Sequence, residues 1–180
     1  MNYSHAMNDG AMIHPGRVYT IGHGGRTIDE LISELSNHDV QFVIDVRSTP
    51  YSRHQPEFSK KSLERVLLQH EVKYVFMGDD LGGRPKDSEC YTNGTVDYRK
   101  CRTKDFFRRG IERIRNTYVQ GHRVCLLCSE GNPWKCHRSK LIGAVLQDEG
   151  IEVLHLLPDG TVRSQDEVAH SVPDRERDNS

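Results

Sequence analysis

The chain has 180 residues, of which 35% are hydrophobic and 28% are charged. This length fits one domain with a core of its own, and no apolar run approaches the roughly 18 residues of a membrane-spanning helix. The amino terminus lacks the basic and then apolar pattern of a secretion signal, and the five cysteines are an odd number. We therefore expect a cytoplasmic protein with reduced thiols and no membrane partner, which excludes the disulfide-rich secreted class.

The charge is distributed unevenly along the chain. The net charge is −1, but residues 99–115 carry eight Lys or Arg and two acids, a local net charge of +6. A basic patch on a near-neutral protein is suited to phosphate groups, so this basic run is a candidate contact with nucleic acid. The alternative is a solvated helix face. Under either interpretation Arg108, Arg109 and Arg113 lie away from the apolar stripe of their helix, so we predict that they are exposed and not neutralised within the protein.

The two ends of the chain differ from its middle. Residues 1–16 show no periodicity and are predicted to be a flexible leader. Residues 164–180 carry five acids, two arginines and little apolar bulk, which is typical of a disordered acidic tail. The segment 17–163 is predicted to be the folded domain.

Strand and helix patterns alternate along this domain. A capping box of Thr27 and Glu30 begins the first helix, and apolar residues at helical spacing mark two more before the fourth strand. Short apolar runs predict five strands, over residues 18–21, 42–46, 73–77, 124–128 and 151–156. This alternation predicts a single-domain, three-layer α/β/α fold with a doubly wound, Rossmann-like sheet of five or slightly more strands, mostly parallel.

Polar residues gather where the predicted strands end. Open parallel sheets bind ligands beyond the carboxyl ends of their strands, so we predict a functional cleft at that rim. The polar segment 82–104 is long enough to be a lid or binding loop, with disorder as the alternative. The candidate residues are His23 after the first strand, Asp45, Arg47 and Arg53 at the second, Arg84 after the third, and Cys128, Glu130, Cys136, His137 and Arg138 after the fourth.

Four motifs in this order carry a family resemblance. They are Ile21-Gly-His23, Asp45-Val-Arg47-x-x-Pro50-x-Ser52-Arg53, Leu81-Gly-Gly83, and Cys128-x-Glu130 followed by Cys136-His137-Arg138. Over roughly residues 17–160 the chain resembles the DUF488 family, a group of α/β proteins of unknown function. The resemblance implies one α/β domain with these motifs in one pocket, and it implies no established activity. Gly24 stands where family members commonly have Ser after Gly-His.

Arginines at this rim are candidates for binding an anion. The first turn of a helix offers unpaired N–H groups, so Arg138 at such a turn is placed to hold a phosphate or carboxylate, with Arg47, Arg53 and Arg84. The alternative is that Arg138 pairs with Glu130 or Asp45 and braces the loop. We predict proton transfer by His23, Asp45, Glu130 and His137, whereas Asp45 with Arg47 is equally interpretable as a structural ion pair and His23 as a turn-capping residue.

The thiols leave several interpretations open. Cys128 or Cys136 beside a helix start is a candidate nucleophile, although the Cys-x5-Arg loop of phosphatases is absent. Packed thiols, a Cys128–Cys136 disulfide switch and a zinc site are the alternatives; the zinc site would take Cys125, Cys128, Cys136 and His137. Because alternate strand residues face opposite ways, we interpret Cys125 as core and predict no metal. The glycine turn 22–25 lacks a dinucleotide fingerprint, so we predict no cofactor.

These patterns together predict an enzyme with hydrolase- or transferase-type chemistry. Its substrate would be a small phosphate-bearing anion, a nucleotide or a nucleic acid, bound in the cleft at the strand carboxyl ends. The alternatives are a non-enzymatic nucleic-acid or nucleotide-binding module and a thiol- or metal-based redox sensor. The sequence indicates no oligomeric state.

Overall fold

The computed structural model describes residues 15–171. Its central sheet contains β1 (Arg17–Gly22), β2 (Phe42–Asp45), β3 (Lys73–Phe76), β6 (Arg123–Cys128), β7 (Val153–Leu156) and β8 (Val162–Ser164), while β4 (Tyr91–Thr92) and β5 (Thr95–Val96) form a small hairpin. The helices are α1 (Ile28–Asn37), α2 (Lys60–Gln69), α3 (Gly78–Leu81), α4 (Tyr98–Arg102), α5 (Asp105–Val119), α6 (Ala144–Asp148) and α7 (Gln165–His170). A π-helical segment, Arg138–Gly143, leads into α6.

The strand order is β3-β2-β6-β1-β7-β8. All pairs are parallel except the edge pair β7–β8, so the predicted doubly wound, mostly parallel sheet is confirmed. Each of the five predicted strands is present, although the last begins at Val153 rather than at residue 151. The register aligns Gly22 with Cys128 and Asp45 with Leu127, which brings the carboxyl ends of β1, β6 and β2 side by side.

Helices cover both faces of the sheet, as expected for a three-layer fold. Buried side chains of α5, the π-helical segment and α6 pack on one face, and those of α1 and α2 pack on the other. Along β6, Leu126 and Cys128 face the first group, whereas Cys125 and Leu127 face the second. Cys125 therefore points away from Cys128 into a different core, in agreement with its interpretation as a packing residue.

The predicted tail begins too early at residue 164. Ser164 and Glu167 form a capping box that starts α7, and Gln165 of this helix is buried. Because β8 and α7 pack at the edge of the sheet, residues up to 171 belong to the folded part. The Ser-x-x-Glu pattern of Ser164 and Glu167 is the sequence signal that indicates the start of this helix. The rest of the predicted tail and most of the predicted leader lie outside the described residues.

The segment 82–104 is folded rather than an open loop. It contains the β4–β5 hairpin and α4, and Cys90 and Cys101 are buried in the core beneath them. Asp97 caps α4 by accepting from the backbone N–H groups of Arg99 and Lys100. The prediction of disorder is therefore wrong for this segment, and the lid interpretation has no support from its packing.

Candidate functional site

The carboxyl ends of β1 and β6 are joined directly at the rim. The His23 N–H donates to the Cys128 carbonyl over 3.0 Å, and the Gly24 N–H donates to the Ser129 carbonyl over 3.0 Å. Glycine is required at position 22, because a Cβ there would lie 1.9 Å from the Glu130 carbonyl oxygen. This close backbone approach sets His23 beside the thiol-bearing loop that follows β6.

Cys128, Cys136 and His137 form a compact group, which we call the thiol cluster. His137 Nδ1 lies 3.9 Å from the Cys128 sulfur and 3.6 Å from the Cys136 sulfur. All three ligating atoms lie within 4.8 Å of one another, and all three residues are buried. The structure thus brings together three candidate residues, although seven residues lie between Cys128 and Cys136 in the sequence.

The orientation of the His137 ring is fixed from its other side. Nε2 lies 3.1 Å from the backbone oxygen of Val46, at the end of β2. Because a carbonyl oxygen only accepts, Nε2 carries the proton and Nδ1 turns a lone pair toward the two sulfurs. Gly83 packs against the same nitrogen, so that a Cβ at position 83 would lie 2.7 Å from Nδ1.

The two thiols share their protons unequally. A hydrogen bond from the Cys136 thiol, with further help from the Glu130 N–H, lowers the pKa of Cys128 against the opposing effect of burial. The thiolate on Cys128 and burial together raise the pKa of Cys136. Of these two thiols, Cys128 is therefore the one that ionises first. Burial raises the pKa of Cys125, which remains a neutral core thiol.

Asp45 and Arg47 form a buried ion pair, as one of the two sequence interpretations expects. Both carboxylate oxygens of Asp45 accept from Arg47, at 2.8 and 2.6 Å, and one of them also accepts from the Tyr74 hydroxyl over 2.6 Å. Asp45 is fully buried and Arg47 is 3% exposed. Because its hydrogen bonds are already made, the proposed proton transfer by Asp45 has no support, and we interpret the pair as structural.

His23 extends this ion pair toward the thiol cluster. Its Nε2 lies 3.4 Å from Arg47 Nη1, and its Nδ1 lies 3.1 Å from the side-chain oxygen of Gln55. The ring stacks on Phe58, with 4.5 Å between centroids. Burial, followed by the Arg47 charge, lowers the pKa of His23, so the ring is neutral at pH 7. Gln55 and Phe58 lie in a polar stretch without periodicity, and sequence reasoning missed both.

Arg138 is placed differently from the prediction. Its side chain is completely buried. Nη1 donates to the Glu130 carbonyl, Nη2 donates to the Gly131 carbonyl over 2.8 Å, and Nε donates to the Thr20 hydroxyl over 3.2 Å. Its donors are turned inward to the loop, so the prediction of an anion bound by Arg138 is wrong. The bracing alternative holds, with backbone carbonyls instead of carboxylates as the partners.

A second buried cluster continues from Arg138. The Thr20 hydroxyl lies 2.7 Å from His155 Nδ1, and His155 Nε2 lies 2.8 Å from the side-chain oxygen of Gln165. We call Arg138, Thr20, His155 and Gln165 the guanidinium network. Sequence reasoning missed the last three, because nothing in their spacing shows that β1, β7 and α7 bring them together.

Three other candidates lie at the surface of the rim. Glu130 is exposed, and its carboxylate accepts from the Asn132 N–H over 3.1 Å. Arg53 and Arg84 are also exposed, and the Arg84 N–H donates to the Ser48 hydroxyl over 2.9 Å. Arg84 directly follows Gly83, which touches His137, and Arg53 lies two residues before Gln55, the partner of His23. Both arginines therefore lie on loops whose neighbouring residues contact the buried site.

The basic run is largely neutralised by carboxylates. Arg108, Arg109 and Arg113 are more than half exposed, as predicted, but they face Asp105 or Asp80 at 3.4 to 3.8 Å. The expectation that they are not neutralised within the protein is therefore wrong. Arg102 and Arg115, which line a cavity of about 440 Å³ beside α5, likewise pair with acids that precede β7. This cavity lies away from the thiol cluster.

Comparison with protein families supports the resemblance seen in the sequence. Residues 27–145 match the family model described as "Domain of unknown function DUF488", which leaves His23 just outside the matched range. Comparisons with curated proteins and with solved structures found no match. Among residues 15–171, no helix has the length and apolar character needed to cross a membrane. With about two thirds of its length matched, the chain belongs to the DUF488 family.

Proposed function

We propose that this protein is an intracellular enzyme that acts on a phosphate-bearing substrate at the rim formed by β1, β2 and β6. One observation carries the proposal: two buried thiols and two imidazoles converge beside exposed arginines at the carboxyl ends of adjacent parallel strands. All five cysteines are free thiols, and free thiols persist in a reducing compartment, which supports the intracellular location in this proposal.

The thiol cluster is the reaction centre in this proposal. Cys128 is the nucleophile in this proposal, because the Cys136 thiol and the Glu130 N–H lower its pKa and so favour the reactive thiolate form. His23 is the proton-transferring group in this proposal, because Gln55 holds its ring and its backbone N–H donates to the Cys128 carbonyl. The buried Asp45–Arg47 pair fixes the position of His23 and takes no direct part in the reaction.

Arg53 and Arg84 are the phosphate-binding groups in this proposal. A guanidinium binds phosphate through paired N–H donors, and these two are exposed on loops that flank His23 and His137. Because the cations of the basic run already face carboxylates, the structure supports a nucleotide-sized anion better than an extended nucleic-acid footprint. The proposal is therefore an enzyme of hydrolase or transferase type acting on a nucleotide.

A substrate panel with three variants tests this function. The full chain is assayed against nucleoside mono-, di- and triphosphates, dinucleotides, and single- and double-stranded oligonucleotides. We expect turnover of a nucleotide, loss of turnover in Cys128→Ser, and a KM raised about tenfold or more in Arg53→Gln/Arg84→Gln. Arg17→Gln is the matched control, because Arg17 is exposed at the opposite end of β1.

The outcomes separate the parts of the proposal. Unchanged KM in the double arginine variant removes Arg53 and Arg84 from the site. Full activity in Cys128→Ser removes the thiol cluster as the reaction centre. Binding of oligonucleotides without any turnover supports the non-enzymatic alternative and overturns the proposal.

A further inference from the structure

We infer that the thiol cluster is a zinc site, in which Cys128, Cys136 and His137 Nδ1 are the protein ligands and a fourth position stays available to water or substrate. This inference departs from the sequence expectation of no metal. It deepens the proposed function, because the role of the metal in catalysis rests on that proposal. Zinc binding itself is testable without any substrate.

The distances between the three atoms are those of a coordination polyhedron. In a tetrahedral site with zinc–sulfur bonds of about 2.3 Å and zinc–nitrogen bonds of about 2.1 Å, sulfur and nitrogen ligands are about 3.6 Å apart. His137 Nδ1 lies 3.6 Å from the Cys136 sulfur and 3.9 Å from the Cys128 sulfur. Both sulfur–nitrogen separations are thus close to those of a tetrahedral site, and no pair of the three atoms is more than 4.8 Å apart.

The imidazole is already prepared for coordination. A metal-binding histidine characteristically donates its second N–H to a carbonyl or carboxylate, which fixes its tautomer and ring orientation. His137 has this arrangement, because Nε2 faces the Val46 carbonyl over 3.1 Å while Nδ1 faces the sulfurs. The carbonyl belongs to the residue that directly follows β2, so the sheet itself holds the ring in place.

The chemistry of the donor atoms favours a soft cation. The three residues are 3 to 8% exposed, so the site is shielded from solvent. Two sulfurs and one imidazole are the donor set that selects zinc from the common divalent ions, whereas calcium and magnesium require oxygen ligands. Gly83 leaves the approach to Nδ1 free of a side chain.

The number of ligands indicates the kind of site. Within residues 15–171, no fourth Cys, His, Asp or Glu joins the group. Structural zinc sites are closed by four protein ligands, whereas catalytic sites have three and keep one position open. Cys125, the fourth ligand in the four-residue zinc set considered from the sequence, faces the opposite side of the sheet.

Metal content and cobalt spectroscopy test the inference on the full chain. Protein produced with zinc in the medium, and purified without chelators or a metal-binding tag, is expected to carry about one zinc ion per chain by elemental analysis. After removal of zinc, added Co²⁺ should give sulfur-to-cobalt charge-transfer bands and the intense visible bands of tetrahedral cobalt. X-ray absorption on the zinc form should count two sulfurs and one imidazole nitrogen.

Single variants identify the ligands. Cys128→Ser, Cys136→Ser and His137→Gln should each weaken zinc binding by more than about 100-fold in competition with a chromogenic chelator. Cys125→Ala is the matched control and should bind as the parent does, since its thiol lies in the other core. Circular dichroism of each metal-free variant shows whether it is folded, and the cobalt spectrum of the parent tests the ligand set without any variant.

The results distinguish this inference from the proposed function. If the protein holds one zinc ion per chain but turns over no phosphate-bearing compound, the zinc site is supported and only the proposed function is overturned. A folded parent that binds neither Zn²⁺ nor Co²⁺ overturns the inference, and turnover by that metal-free protein would leave the proposed function standing. A cobalt spectrum without sulfur charge-transfer bands overturns it as well.

Discussion

The π-helical segment Arg138–Gly143 begins between two polar clusters that differ in how far their hydrogen bonds are satisfied. In the guanidinium network, each donor of Arg138 faces a carbonyl or a hydroxyl, and His155 is held from both sides. In the thiol cluster, the two sulfurs lie 3.6 and 3.9 Å from one imidazole nitrogen, which are long contacts. The first cluster is complete without a ligand, and the second gains its best partner only when a cation or substrate enters.

This difference separates a stabilising role from a chemical role. Buried polar groups that are fully paired make a structure rigid, whereas groups left with weak partners retain capacity for binding and reaction. Both clusters contain histidine at comparable burial, so residue type alone does not separate them. A π-helical turn between them is in keeping with the tendency of such turns to occur at functional sites.

The largest expected effect is on the guanidinium network. Arg138→Ala should lower the free energy of unfolding by about 3–5 kcal/mol, because it removes three hydrogen bonds, one of them to the buried Thr20 hydroxyl, and opens a large cavity. Urea unfolding measures this loss. Arg17→Ala, at an exposed arginine on the opposite rim, should change stability by less than about 0.5 kcal/mol. Equal effects from the two variants would contradict a bracing role for Arg138.

The second prediction concerns the pH dependence of stability. Burial lowers the pKa of His155 from its ordinary value of 6.5 to about 4. Between these two pH values the unfolded chain therefore binds a proton at His155 that the folded chain does not bind. The stability that comes from neutral His155 is fully present above pH 6.5 and is lost as pH falls toward 4. The full loss amounts to about 3 kcal/mol, and the lowered pKa of His23 acts in the same direction.

Paired variants isolate this contribution. His155→Asn should be less stable than the parent at pH 7 and should lose less stability between pH 6.5 and pH 4, as measured by urea unfolding at each pH. His54→Asn, at an exposed position, should keep the slope of the parent. A His155 variant with the full slope of the parent would show that this imidazole accepts a proton freely in the folded state.

The two clusters also differ in what could be predicted from the sequence. The alternating pattern gave the sheet and its rim correctly, because short apolar strands between amphipathic helices leave few topologies. It therefore also brought Cys128, His137 and His23 together. It could not show that Arg138 turns inward, because this depends on the local π-helical geometry and on Thr20, which is 118 positions away in the chain. Nor could the pattern show that Asp80 and Asp105 neutralise the basic run. Asp80 lies on α3, and a helix of only four residues leaves no helical periodicity in the sequence.

The third prediction tests the sharing of protons in the thiol cluster. Cys136→Ala removes the hydrogen bond that contributes most to lowering the pKa of Cys128. A hydrogen bond to a charged group is worth about 1.5–3 kcal/mol, so the pKa of Cys128 should rise by about one to two pH units. The rate of iodoacetamide alkylation as a function of pH, on metal-free protein with mass spectrometry to locate the label, measures it. Cys101→Ala should leave that profile unchanged, and a profile equally unaltered in Cys136→Ala would mean that the two sulfurs titrate independently.

The smallest expected effect is at the basic run, where charges are paired at the surface. Arg109 and Arg113 both face Asp80 and are 62% and 55% exposed, so solvent screens each pair. Arg109→Gln/Arg113→Gln should therefore lower stability by less than about 1 kcal/mol, and 0.5 M salt should remove most of that loss. The same variant should leave nucleotide turnover unchanged, because α5 lies outside the rim. If oligonucleotide binding by the parent weakens steeply with salt and this variant flattens the slope, the pairs open to phosphates and the basic run is a nucleic-acid contact after all.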